Sequence, residues 1–338
     1  MAKGTCENAN CTVATTGKCL LSHPAPSDCP HFRSLGDSAD TIAPEKIEPA
    51  PLPSIEDPRM QIGKKFHLGN ELGTQDAIEV MRAEYGCLIG VLGSTDAGKT
   101  CFLSSLYLMA SGGTLPKAYK FAGSLSLQAF EDRARGLREW QDGRLPNQLV
   151  DHTILSDKRQ PSLLHLTIRE SHEGRRRFNL LLTDLPGEWT DSLVMKASNA
   201  ESFRFLQRAD GIILVVDGTL LNSDQRHVEL QRMRYFTERL ANDVSVSRDT
   251  PFVILISKCD ELGMQMPTAA NELETHVRGL GFPVKTVLSA AFSRKPDDIK
   301  SGTGVFEAVE AILSSPAPVK PQAARSDLKT RTFQEFRG

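Results

Sequence analysis

No apolar run in the 338 residues approaches the roughly 20 that a membrane-spanning helix needs, and residues 1–30 hold no apolar core of the kind a secretory signal carries. No sign of charge dominates either. Forty Lys and Arg against 42 Asp and Glu leave a net charge of −2, which removes any global electrostatic case for nucleic acid or an anionic membrane. No internal repeat is visible. Cysteine is too sparse for a disulfide scaffold, yet four of the seven (Cys6, Cys11, Cys19, Cys29) crowd into the first 29 residues. What is present is globular composition, 40% apolar and 24% charged. A cytoplasmic protein is expected, with one large domain or two ordinary ones, because single cores rarely grow past roughly 250–300 residues.

Composition divides the chain. Residues 1–33 form a Cys-rich head. Residues 34–60 hold five prolines, six acids and two bases, with few large apolar side chains, so an acidic, extended linker is expected over 34–65. Globular patterning runs over 66–315, and 316–338 read as a flexible, net basic tail. Short Ile/Leu/Val runs at Cys87–Leu92, Gly211–Val216, Phe252–Ile256 and Val284–Leu288 predict strands buried on both faces. Leu163–Ile168 and Phe178–Leu182 predict a strand pair. Helical periodicity occupies Asp76–Tyr85, Lys99–Ala110 and the stretches near 191–209, 223–243, 268–279 and 303–314. The alternation predicts a three-layer α/β domain with a mostly parallel sheet.

Four motifs fall at predicted strand ends. Gly93-Ser94-Thr95-Asp96-Ala97-Gly98-Lys99-Thr100 fits GxxxxGK[ST] between a strand and a helix. Its glycines let successive N–H groups turn toward one anion at the positive end of the helix. Lys99 would reach the β- and γ-phosphates, and the Thr100 hydroxyl would ligate Mg²⁺. Cys101 adjoins this run by position, although its apolar helix context, like the strand context of Cys87, reads as packing. Asp184-Leu185-Pro186-Gly187 offers a carboxylate for Mg²⁺ and, at Gly187, an N–H for a γ-phosphate. Ser257-Lys258-Cys259-Asp260 closes a third strand, and Leu288-Ser289-Ala290-Ala291 a fourth.

In this order and spacing the set resembles P-loop GTPases of the translation-factor/Ras-like class. The resemblance implies a Ras-like G domain in which Asp260 accepts from the guanine N1–H and exocyclic amine, the Lys258 stem lies over the base, and the Ser289-Ala290 element meets guanine O6. Ser257 stands where the class carries Asn or Thr, and its hydroxyl offers a shorter loop-bracing bond. The resemblance also implies a switch I Thr on Mg²⁺; Thr153 is the first candidate, with Ser156 and Thr114 competing. Lys99 and Asp184 are 85 residues apart, and the excess lies in an insertion over 111–150 before switch I. Within it Leu125–Trp140 reads as a helix, either plain packing or partner-sensing. Together with the Cys-rich head, these features are similar to bacterial double-GTPase-type proteins associated with conflict systems.

Glu188 follows Gly187, where many members carry a water-orienting Gln; it reads equally as an acid near a helix N-terminus. Lys99, Gly187 and Glu188 are therefore the catalytic candidates. No arginine finger is identifiable, Arg144, Arg159 and Arg169 being near only in sequence, so slow hydrolysis is expected, accelerated by a protein partner or self-association. A nucleotide-binding scaffold with little turnover is the alternative. In the head, Cys6, Cys11, Cys19 and Cys29 supply the four thiolates of a closed structural Zn²⁺ site, with His23 and His31 as spare ligands. Reduced thiols, a redox pair and lipid-modified cysteines are the competing readings.

Overall fold

A strand with no polar alternation has to be covered on both faces, and the computed structural model places three such strands side by side. Residues 4–8, 11–19, 21, 23–34, 69–138, 161–171 and 176–315 are described. The chain divides into two compact units, Met1–Lys65 and Phe66–Gly338. In the first, β1 (Gly4–Cys6) pairs antiparallel with β2 (Phe32–Ser34), and a single helical turn, α1 (Val13–Thr16), ends at Gly17 in the left-handed conformation. Among its described residues, Val13 and Cys29 are the buried apolar ones.

The second unit opens with α2 (Thr74–Ala83) and β3 (Gly86–Leu92), every residue of which is buried. There follow α3 (Lys99–Ser111), β4 (Tyr119–Gly123), α4 (Leu127–Arg138), β5 (Ser162–Glu170) and β6 (Arg177–Asp184). Next come α5 (Gly187–Met195), a 3₁₀ segment (Ala197–Arg208), β7 (Gly211–Asp217), α6 (Gly218–Leu221), α7 (Arg226–Asn242) and β8 (Phe252–Ser257). The unit closes with α8 (Thr268–Gly279), β9 (Val284–Leu288) and α9 (Val305–Leu313).

One seven-stranded sheet runs β4-β5-β6-β3-β7-β8-β9. β6, β3, β7, β8 and β9 are parallel, while β4 and β5 add an antiparallel wing. The period of two along each strand splits the core into two layers. Ile213 and Val215 face one way with Phe102, Leu103, Phe130 and Val309, under α3, α4 and α9. Ile212, Leu214 and Val216 face the other with Leu193, Phe203, Phe236 and Leu273, under α5, α7 and α8. This is the three-layer α/β architecture the strand pattern predicts. Because the strands around β3 are parallel, their carboxyl ends share one edge, and the chain leaves β3 into α3 on one face of the sheet but leaves the neighbouring β6 into α5 on the other. Such an edge is where open α/β sheets bind ligands.

Two elements differ from expectation. The insertion contributes an edge strand as well as a helix: β4, whose Tyr119 and Phe121 pack against the core while Lys120 and Ala122 alternate outward. Five residues in a polar context are too short a run to stand out. The stretch near 191–209 is not one helix, since Lys196 is extended and separates α5 from the 3₁₀ segment. Helix α4 itself spans the predicted position, with Phe130 and Ala134 fully buried and Leu127 exposed. Phe130 stacks on Tyr107 of α3 at 4.9 Å between centroids. Phe130→Ala should therefore lower unfolding free energy by about 3–5 kcal/mol in chemical denaturation. A loss under about 1 kcal/mol would mean that α4 does not belong to the core.

Candidate nucleotide-binding site

The loop 93–98 leaves β3 in a conformation its residue types permit. Gly93 has φ 150°, and a Cβ there would lie 2.3 Å from the Val215 carbonyl oxygen of β7, so only glycine fits. Asp96 takes φ 59°, accessible to Asp at modest expense. The loop ends on α3, whose first residue, Lys99, is buried. Its Nζ donates to Gly93 O at 3.0 Å and Ser94 O at 2.8 Å. Burial lowers the Lys99 amine, while Asp184, Glu188, Asp191 and Asp96 around it pull the other way. Thr100 stands in the first turn behind it. Beside it the Cys101 thiol is pushed up by burial, which suits packing better than chemistry.

Two other segments close on this loop. Gly187, first residue of α5, lies against Thr95: a Cβ would sit 2.3 Å from the Thr95 nitrogen. Thr190 Oγ1 accepts from the Gly93 N–H at 3.4 Å, and the Thr95 hydroxyl reaches Asp191 at 3.5 Å. From α7, the buried Glu229 accepts from the Ser94 hydroxyl at 3.2 Å. Burial raises the Glu229 carboxyl, and Arg232 at 3.4 Å opposes that shift. Glu188 is exposed in the first turn of α5. The helix starts at Gly187, earlier than the Thr190 or Asp191 start expected, so Glu188 lies at its positive end.

Asp184, at the carboxyl end of β6, is 1% exposed and does not stand alone. Arg133 Nε of α4 donates to its Oδ2 at 2.6 Å, and the same guanidinium pairs with Glu71. Burial pushes the Asp184 carboxyl up, opposed by Arg133 and Lys99. Burial also works against the Arg133 charge, but the two carboxylates outweigh it and raise the guanidinium further. Arginine keeps its proton at any ordinary pH, so Asp184 faces a fixed cation. A sequestered hard carboxylate that already faces a cation fits the oxygen-donor chemistry of Mg²⁺, as does the Thr100 hydroxyl in the first turn of α3.

At the other end of the same edge, Ser257 donates to Ala97 O at 2.7 Å and lies 3.2 Å from Val216 O. The shorter side chain thus still braces the phosphate-type loop across 160 residues of sequence. Lys258 has φ 57° and donates to Asp217 Oδ2 at 2.5 Å, at the end of β7. Asp217 is held below the usual carboxylate range: burial alone would raise it, and Lys258 and Thr219 outweigh burial. Asp260 is buried and accepts from the Arg294 N–H at 2.9 Å. Ser289 donates its N–H to Ile256 O and accepts from Cys259 N, which locks the last loop onto β8. The Ala290 N–H is committed to Thr303 O at 3.0 Å.

The family model described as Double-GTPase 2 matches residues 87–313, well over half of the chain, and that interval contains this whole edge. The chain belongs to the Double-GTPase 2 family.

Among solved structures, the Double-GTPase 2 chain is similar to a GTP-binding protein from the archaeon Sulfolobus solfataricus in complex with GDP. Identity is 14% and the TM-score 0.35, over 70% of this chain and 54% of that one, so it spans about half that protein's length. It is also similar to the signal recognition particle receptor SRb-GTP/SRX complex from Chaetomium thermophilum, with 14% identity and a TM-score of 0.37, over 62% of this chain and 92% of that one. Likenesses this distant carry no argument. No curated protein matches the chain significantly.

Thr153, Ser156, Arg144, Arg159 and Trp140 lie outside the described residues. Thr114 is described; its N–H donates to Met109 O at 2.9 Å, just after α3. The head does not assemble the four-thiolate set: among the described residues no group of three or more His, Cys, Asp or Glu is placed to hold a metal. The Asn8 N–H lowers the Cys6 thiol, but desolvation and the nearby Cys11 and Cys29 thiols more than reverse this and raise it. The head residues therefore do not fit zinc as arranged.

Sequence reasoning missed Arg133, Glu71, Glu229 and Asp217, none of which lies inside a contiguous motif. Only Glu229 carried a signal, a lone acid on the buried face of a helical-period segment. One outcome tests the brace. Ser257→Ala removes the donor to Ala97 O and should cost the Double-GTPase 2 chain about 1–3 kcal/mol in denaturant unfolding. Ser257→Thr, which keeps the hydroxyl, should recover most of it.

Proposed function

We propose that this chain binds GTP along the carboxyl edge of β3, β6 and β8 and hydrolyses it slowly, as a switch for a protein partner. The observation that carries the reading is the Ser257–Ala97 hydrogen bond, which joins the loop suited to phosphates to the loop suited to a base. Lys99 would turn from the Gly93 and Ser94 carbonyls to the β- and γ-phosphates. The Gly187 N–H, stacked on Thr95 at the start of α5, would meet the γ-phosphate, so the position of α5 would follow nucleotide state.

Thr100 and Asp184 would hold Mg²⁺, with Thr153 the first candidate for a third ligand. Bound there, Mg²⁺ would neutralise phosphate charge during transfer. Asp260 is the guanine-reading carboxylate, with Lys258 beside the base. Because the Ala290 N–H is spent on Thr303, contact with guanine O6 falls to another N–H of the loop. Glu188 is placed to accept from a water near Lys99, and its exposure leaves it free to move. The domain reading is a head over 1–33, a linker over 34–65, a G domain over 66–315 and a tail over 316–338, in the cytoplasm. Zinc is not carried into this proposal.

A single-turnover assay with GTP and ATP tests the reading. GTP should bind more tightly, and Thr100→Ala should abolish turnover. Asp260→Asn should weaken GTP by roughly 10- to 150-fold, the loss of a hydrogen bond to a charged group. Equal affinity for ATP would overturn the guanine assignment. Tight GTP binding with no turnover would favour the scaffold reading.

A further inference from the structure

Helix α4 does more than cover the sheet, because it delivers a cation to the carboxylate on which the site depends. We propose that Arg133 is a positioning residue for Asp184: a resident cation that gives way when Mg²⁺ and nucleotide enter, so that the end of α4 moves with nucleotide state. The proposal rests on the GTP reading above.

The guanidinium is fully engaged. Nε and Nη2 both lie 2.6 Å from Asp184 Oδ2, Nη2 also pairs with Glu71, and Nη1 donates to Ala129 O at 2.8 Å within the helix. Its side chain is 13% exposed, Asp184 1% and Glu71 27%. With water excluded, a divalent cation held by Asp184 and a guanidinium on the same carboxylate would repel at close range. Arginine cannot relieve the conflict by losing its proton. Relief has to be movement. Glu71, the more exposed partner, gives the guanidinium somewhere to remain as it leaves Asp184.

The helix is held so that such movement is local. Its start is tied to β5: Leu125 N donates to His165 Nδ1 at 3.0 Å, Ser124 Oγ to His165 O at 2.6 Å, and His165 N to Ser126 Oγ at 2.7 Å. Its middle is anchored by Phe130 on Tyr107, and by Tyr107 Oη bonded to Glu131. Arg133 lies one turn beyond the anchor. Its tie to Asp184 joins α4 to the end of β6. Displacing the guanidinium therefore loosens the last turn of α4, beyond the buried Ala134, without unseating the first.

Hydrogen exchange on the full chain tests this, comparing no ligand, GTP with EDTA, and GTP with Mg²⁺. Amides of 93–100 should gain protection with GTP in both cases, and those of 135–138 should lose protection only with Mg²⁺. Separately, the Mg²⁺ concentration at which GTP retention is half-maximal should fall by between about 5- and 150-fold in Arg133→Gln, the usual range of coupling between sites. Arg133→Lys, which keeps a cation, should stay near the unsubstituted value. A merely structural ion pair would lower the unfolding midpoint in Arg133→Gln and leave the Mg²⁺ requirement unchanged.

Unchanged exchange over 135–138 while 93–100 becomes protected overturns the proposal, as does an Arg133→Gln protein needing as much Mg²⁺ as before. If Arg133→Gln does not fold, exchange in the unsubstituted chain decides alone. Failure of 93–100 to gain protection with GTP defeats the GTP reading, and this proposal with it.

Discussion

Three backbone segments meet with no room between them, and the rest of the site is arranged around that contact. The Gly93 position is closed by the Val215 carbonyl of β7, and the Gly187 position by Thr95. A side chain at either would push β7 or α5 away from the loop. Parallel pairing of β3 with β6 on one side and β7 on the other brings these segments to a single edge. The loop is thus set by the sheet on one flank and by α5 on the other, and small movements of α5 reach it directly.

Charge follows the same geometry. A buried amine, Lys99, sits among Asp184, Glu188, Asp191 and Asp96, and the carboxylates pull its pKa up while burial, the larger effect, lowers it. Asp184 in turn is held by Arg133, and Glu229 by Ser94 and Arg232. Each buried ion has a partner from a different element. Removing one partner leaves the other uncompensated, so α4, α5 and α7 are electrically linked through the loop they surround.

The readable part of this chain was its contiguous part. The β3-loop-α3 run, Asp184 to Gly187, and Ser257 to Asp260 each carry their geometry in adjacent residues, because a strand end and the turn after it are local. The bracing bond of Ser257 was foreseeable as chemistry but not in its target, Ala97, which depends on β8 and β3 ending at one level. Arg133 was invisible for a related reason. It lies 51 residues from Asp184 and 62 from Glu71, on a helix whose apolar spacing is only partial. β4 escaped notice because five half-buried residues at a sheet edge leave a weak alternation. The head misled in the other direction, since four cysteines in 29 residues imply a convergence that the described residues do not assemble into a metal-holding group.

The residue pattern alone settles that a mostly parallel sheet lies between two helix layers, because unbroken Ile/Leu/Val strands have no other stable surroundings, and that loops of phosphate-binding and carboxylate type end three of those strands. Which groups face one another across the edge is a property of the folded chain. Ser257 meets Ala97, Glu229 meets Ser94 and Arg133 meets Asp184 because strand order and helix packing bring them within hydrogen-bond reach. Local sequence holds dihedral preferences and hydrophobic period, and the pairing of distant charges enters neither until the sheet has assembled.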